Sequence, residues 1–244
     1  MTRSLRRILL LLALWFPLAV LAQEQPLHLD IVGGNAAALP IAVVPMPYQG
    51  SQAAPGTDIS GVIRADLDRS GQFRSLPERD MVEHPTGGGE VNYPTWRLLK
   101  QDFLVVGRVL DAGDGYRVEY ELFDVAKQQR LLGFAMPTRG DGLRDVAHQI
   151  ADAIYDKIIG VRGAFWTRIA DVTASGVGKS ARYALVVADS DGFNPHVVFR
   201  DAQPILSPAW HPDGRHLAFV SFHSGNSAIY VLDTTRDTAL PAPT

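Results

Sequence analysis

Residues 207–222, SPAWHPDGRHLAFVSF, restrict the fold more than any other stretch: a short apolar strand with Trp210, a tight turn, and a second apolar strand. Pro212 presets the first turn position, Asp213 can bond its own backbone, and Gly214 takes a positive φ at no steric cost. The unit has partial copies. RIADV from Arg168 matches HLAFV from His216, 48 positions later, and LVVADSDG from Leu185 resembles IYVLDTTR from Ile229, 44 positions later. The unequal offsets place an insertion, ASGVGKSA, between the first pair of strands. A period of about 40–45 residues with four short strands each is the signature of β-propeller blades. Around this unit, TRIADV, RYALVVAD, HVVFRD, LSPAW, HLAFVSF and AIYVLD read as short strands separated by turn residues, and no helix is predicted after residue 163.

Before that point the pattern is mixed. LHLDIV (27–32) alternates and reads as a short strand, whereas PIAVVPMP (40–47) is a continuous apolar run, as expected of a strand covered on both faces. In TDISGVIRADLDRSG, Ile59, Val62, Ile63 and Leu67 share a helical face, with Thr57 or Asp58 as cap and Gly71 as terminator. FRSL is a third strand, HPTGGGEVNYP a loop, and YPTWRLLKQ a short helix with Pro94 in its first turn. DFLVVGRVLD (102–111) is a strand, Asp114-Gly115 a hairpin turn into YRVEYELFD, and RLLGFAMP a further strand. The strongest helix is DGLRDVAHQIADAIYDKIIG. Asp141 is its expected cap, Leu143, Val146, Ala147, Ile150, Ile154 and Ile158 its apolar stripe, and Gly160 its close. The change of period sets the predicted organisation: an α/β domain with a mixed sheet and helices over residues 23–162, then the start of a β-propeller of WD40-like repeats over 163–244.

Residues 1–22 read as a signal peptide. MTRSLRR is a basic head, residues 8–22 are apolar, and Val20 and Ala22 occupy the −3 and −1 positions of a cleavage site before Gln23. A membrane anchor needs about 20 apolar residues, and Pro17 interrupts this shorter run. Removing Arg3, Arg6 and Arg7 takes the net charge from −3 to −6, so neither nucleic acid nor an acidic surface is indicated as a partner. The chain has no cysteine, which excludes disulfides, thiolate zinc sites and a thiol nucleophile. An exported, disulfide-free chain with no later membrane-length apolar stretch suits a bacterial periplasm.

No catalytic constellation emerges. GVGKS (176–180) ends like a phosphate-binding loop, but Thr173 stands where that motif needs glycine and a strand follows, so an exposed hairpin turn is expected. Ser207, Asp213 and His216 could be offered as a hydrolase triad, yet Ser207 lacks the G-x-S-x-G elbow and the turn accounts for Asp213. The histidines, 28, 84, 148, 196, 211, 216 and 223, form no helical pair of the zinc-hydrolase type; solvated or packing roles are expected, with His211 and His216 pointing outward. GGG at 87–89 is expected as a flexible surface loop, and Trp96, Leu98 and Leu99 as a core stripe. LHLDIV, directly after the cleavage site and before Gly33-Gly34, is either an edge strand or a mobile segment that adds itself to a partner's sheet.

PIAVVPMPYQG, GVIRADLDRSGQF, DFLVVGRV and GAFWTRIADV are similar, in order, to blocks of the TolB family of the Tol-Pal system, and DSDGFNPHVVFRDAQPILSPAWHPDGRHLAFVSFHSGNSAIYVLD resembles its first propeller repeats. The resemblance implies a periplasmic, non-enzymatic adaptor of Gram-negative bacteria. Such an adaptor links a TolA-like inner-membrane protein to a Pal-like outer-membrane lipoprotein, maintains outer-membrane integrity and supports cell division. It also implies that the TolA-binding segment is Gln23, Glu24, Gln25, Pro26, Leu27, His28, Leu29, Asp30, Ile31 and Val32, and that a six-bladed ring holds Pal. This chain departs from the family after AIYVLDTTRD, where further blades are expected but TALPAPT follows. The reading is therefore a truncated member with about two blades, impaired in Pal binding. The alternative is a fragment of an exported, propeller-bearing hydrolase of the peptidase kind. No metal or cofactor is expected in either case.

Overall fold

A computed structural model of the chain describes residues 38–235. The predicted signal peptide, the Ala22–Gln23 cleavage site and the segment from Gln23 to Val32 lie outside the described residues.

Strand β1, Leu39–Val43, is the centre of the N-terminal domain. Ile41 and Val43 enter one apolar cluster, Ala42 and Val44 the other, and all four are fully buried. This is what the unalternating run requires. Helix α1 (Ile59–Arg69) follows, and Asp58 caps it by accepting the Gly61 amide at 2.9 Å. The chain returns as β2 (Phe73–Ser75), parallel to β1. Short helix α2 (Tyr93–Leu98) leads to β3 (Phe103–Ala112), which is parallel to β1 on its other edge. β4 (Gly115–Asp124) and β5 (Gln129–Thr138) continue antiparallel, so the sheet order is β2-β1-β3-β4-β5. Within β3, Gly107 is a packing necessity: a Cβ there would meet the Glu119 carbonyl oxygen at 2.4 Å.

Helix α3 (Leu143–Ile159) packs with α1 on one face of the sheet, burying Leu143, Val146, Ala147, Ile150 and Ile154 of the predicted stripe, with Ile158 packed at its margin. Trp96 and Met81 cover the other face over Ala42, Leu104 and Val106. Both core layers thus converge on β1 and β3, while β5 remains a largely exposed edge.

Four local expectations need correction. Leu98 is 84% exposed, because residues two apart on a helix lie on different sides; only Trp96 and, partly, Leu99 reach the core. Asp141 does not cap α3. The chain enters through a 3₁₀ turn, Gly140–Gly142, and Gly142 takes the cap position without a side-chain bond. The β3–β4 turn is Gly113-Asp114, one residue earlier than predicted, with φ 62° at Gly113 supplying the required left-handed position. Gly88–Glu90 form a 3₁₀ turn pinned to the sheet by the Gly88 amide on Glu121 Oε2 at 2.6 Å, not a free loop. Gly160 ends α3 at φ 83°, as expected.

Beyond residue 163 there are two three-stranded antiparallel sheets. The first is β6 (Arg168–Ser175), β7 (Arg182–Asp189) and β8 (His196–Asp201); the second is β9 (Ile205–Trp210), β10 (His216–Ser221) and β11 (Ala228–Asp233). The sequence repeat is a repeat of register. Arg168 faces Asp189, and His216 faces Asp233, so moving 48 positions on one strand and 44 on the other converts the first ladder into the second. The match runs through Thr173 opposite Ala184 and Ser221 opposite Ala228. By this correspondence β6 and β7 are equivalent to β10 and β11. Each sheet therefore shows three strands of a four-strand repeat, and the two sheets do not close a ring.

The sheets share one core, with Leu185, Val187 and Phe199 from the first and Ile205, Leu217, Phe219, Tyr230 and Leu232 from the second. β9 is bulged. Ala209 pairs with Ala218 and Leu206 with Val220, so Ser207 and Pro208 together span the space opposite Phe219. Pro208 has no amide to give the ladder, and Ser207 takes a left-handed φ of 51°.

Candidate functional site

Ser207, Asp213 and His216, set aside as a triad on sequence, lie along β9, the β9–β10 turn and the start of β10. Ser207 sits in the β9 bulge and not on a strand-to-helix elbow. Asp213 Oδ1 accepts the amides of His216 at 3.0 Å and Arg215 at 2.8 Å, and its Oδ2 lies 2.6 Å from His216 Nδ1 and 3.1 Å from His211 Nδ1. The two amide bonds, His216's first, and then the His216 ring hold this carboxyl far below the usual carboxylate range. Asp213 is thus the turn residue that the sequence suggested. The two histidines are largely exposed, as expected, and both rings lie on the Asp213 carboxylate. GVGKS forms an exposed 3₁₀ turn, Gly178–Ser180, between β6 and β7, as expected of a hairpin connection.

The densest polar constellation lies where the α/β domain meets the first propeller sheet. Arg144 and His148 are four residues apart on α3 and so share a face. Asp66 of α1 lies beside His148, with Oδ2 at 2.6 Å from Nδ1, and its other oxygen takes Arg69 at 2.6 Å. Asp66 and His148 are 0% and 1% exposed, deep enough that each needs the partner it has. From the opposite side the β7–β8 turn, Asp189-Ser190-Asp191-Gly192, brings two carboxylates. Arg144 donates to Asp191, lies 3.9 Å from Asp189, and stacks its guanidinium 3.9 Å above the Phe193 ring centre. Ser190 anchors the turn, its hydroxyl on the Phe165 carbonyl at 2.6 Å and its amide on that of Thr167 at 3.0 Å.

The electrostatics of the two turn carboxylates differ in sign. Burial raises Asp189 above the ordinary carboxylate value, and the charges of Asp145 and Asp191 add to it against the pull of His148 and Arg144. Burial also pushes Asp191 upward, but the Phe193 amide, Arg144 and His148 outweigh it and the net direction is down. A cleft of about 680 Å³ opens here, lined by Asp58, Arg144, Asp145, Asp189, Asp191 and Phe193. Sequence reading missed this joint. DSDG registered only as part of the repeat, and Asp66 and His148 are 82 positions apart.

An α/β domain joined through Arg144 and a tight turn to two repeated three-stranded antiparallel sheets defines a propeller-repeat protein with an N-terminal platform. The TolB amino-terminal domain matches residues 27–131, and the TolB beta propeller domain matches residues 155–240. The Tol-Pal system proteins TolB of Xanthomonas euvesicatoria pv. vesicatoria and of Xanthomonas campestris pv. campestris are each 64% identical over 234 residues, covering 96% of this chain and 53% of theirs. The crystal structure of TolB from Acinetobacter baumannii aligns with a TM-score of 0.72 at 33% identity, over 82% of this chain and 48% of that one. The chain belongs to the TolB family, as the resemblance implied. It spans about half the length of the curated relatives it matches.

Proposed function

We propose that this chain acts in the periplasm of a Gram-negative bacterium as a non-enzymatic adaptor of the Tol-Pal system. In this reading it connects a TolA-like inner-membrane protein to a Pal-like outer-membrane lipoprotein, supporting outer-membrane integrity and cell division. The observation that carries the proposal is the 64% identity to Tol-Pal system proteins across both domains in the same order. The apolar stretch of residues 8–22, read as a signal peptide over 1–22, supports export.

Within this reading, residues 23–32 engage the TolA-like partner by strand addition, which draws its affinity mainly from backbone hydrogen bonds. The Pal-like partner is held by propeller loops. Titrating the periplasmic domain of a TolA-like protein into the chain with and without residues 23–32 tests the first point. Binding that depends on those residues supports it. Equal binding by both forms removes the segment from the mechanism.

A further inference from the structure

We propose that His148, Asp189 and Asp191 form a binding site for a divalent transition-metal cation at the joint of the two domains, with Zn²⁺ the best fit. The ligand-capable atoms of these three residues lie within 4.8 Å of one another. His148 is 1% exposed and its Nδ1 is committed to Asp66, while its Nε2 is buried with no hydrogen-bond partner. A buried ring nitrogen without a partner is costly, and an imidazole held by a carboxylate on one nitrogen is the usual arrangement of a metal-ligating histidine. Asp66 thus fixes the ring and its tautomer, leaving Nε2 as the free donor.

The charge balance calls for a cation as well. Asp66, Asp145, Asp189 and Asp191 gather around two guanidinium groups, Arg69 and Arg144. Arg144 does not fill the place of an ion. Its bond to Asp191 engages one oxygen and the Phe193 amide the other, but each carboxylate oxygen carries two lone pairs. The donor set of one imidazole and two carboxylates suits Zn²⁺ and disfavours Ca²⁺, which takes six to eight oxygen ligands. The adjoining cleft, lined by Asp189 and Asp191, gives an ion its path in. Binding would tie α1 and α3 to the β7–β8 turn, and it does not depend on the Tol-Pal reading.

Calorimetric titration of ZnCl₂ into the full chain tests the proposal, with CaCl₂ as comparison and with D189N, D191N and H211Q/H216Q variants. The last variant controls for the exposed His211, Asp213 and His216 group, whose ligand atoms also approach one another. The expected result is saturable Zn²⁺ binding that weakens at least about 10-fold in D189N and in D191N and survives in H211Q/H216Q. The His148 Nε2 signal in ¹⁵N NMR of the unsubstituted chain should shift on Zn²⁺ addition, a readout independent of whether a variant folds. Absence of saturable binding, loss of binding only in H211Q/H216Q, an unmoved Nε2 signal, or equal affinity for Ca²⁺ would each overturn the assignment.

Discussion

Replacing Phe219 with alanine should open the propeller part of the chain while leaving the α/β domain intact. Phe219 is 1% exposed at the middle of β10, stacked on Tyr230 at 5.8 Å and tilted against Phe199 at 5.0 Å, so it joins both strands and both sheets. Phe-to-Ala changes in cores cost about 3–5 kcal/mol, and aromatic neighbours on two sides leave rigid walls that collapse poorly into the hole, which favours about 4 kcal/mol. At about 1.4 kcal/mol per decade, amide protection in β7 and β10 should fall roughly 1,000-fold, or vanish if the sheets hold less stability than that. The α/β domain has its own two core clusters, neither of which contains Phe219. Amides of β3 and β4 should therefore keep their exchange rates. Hydrogen exchange resolved by peptide reads both regions in one experiment. An equal loss across β3 and β10 would show a single cooperative unit and refute the separation of cores. A loss below about tenfold in β10 would refute the burial reasoning.

Three further outcomes follow from named contacts. Asp191→Asn should cost on the order of 1 kcal/mol at neutral pH by losing the partly solvated Arg144 pair. Because the folded state lowers this carboxyl, the wild-type advantage should be present above about pH 3.8 and fade as pH falls through the lower folded value, as followed by denaturant titration. Asp189→Asn should do the reverse, since a raised carboxyl favours the folded state below its unfolded value and penalises it once pH passes the folded value; the variant should match or exceed wild-type stability at neutral pH. Gly107→Ala should destabilise by about 1–3 kcal/mol or more in thermal melts, because its methyl meets backbone, the Glu119 carbonyl at 2.4 Å, with nothing flexible to yield.

What was legible in the sequence is what depends on near neighbours. The stripes of α1 and α3 are set by a 3.6-residue period, and β1 by an apolar run that only a doubly covered strand tolerates. The propeller repeat was readable because equal registers leave constant offsets, as the ladders of β6–β7 and β10–β11 show. Leu98 failed because hydropathy counts a residue before geometry gives it a direction, and Asp141 because a 3₁₀ entry displaced the cap by one residue. The joint was illegible for another reason. His148 on α3 gives no hint of Asp66 until α1 is laid against α3, nor of Asp189 and Asp191 until the first sheet is set beside both.

Each domain's core is held mainly by its own apolar contacts, whereas the joint combines Phe165, packed against Tyr155 of α3, with Asp152 on the Phe165 and Trp166 amides and Arg144 between Asp191 and the Phe193 ring. Apolar cores respond weakly to pH and ions, but a partly buried ionic joint with surplus carboxylate charge responds to both. The charge-conserving exchange Arg144→Lys isolates this property. It keeps one positive charge but loses the planar stack on Phe193 and the fork that reaches Asp191. Both domains should melt as before, while small-angle scattering should report a wider spread of domain arrangements; an unchanged scattering profile would mean that the joint is set elsewhere.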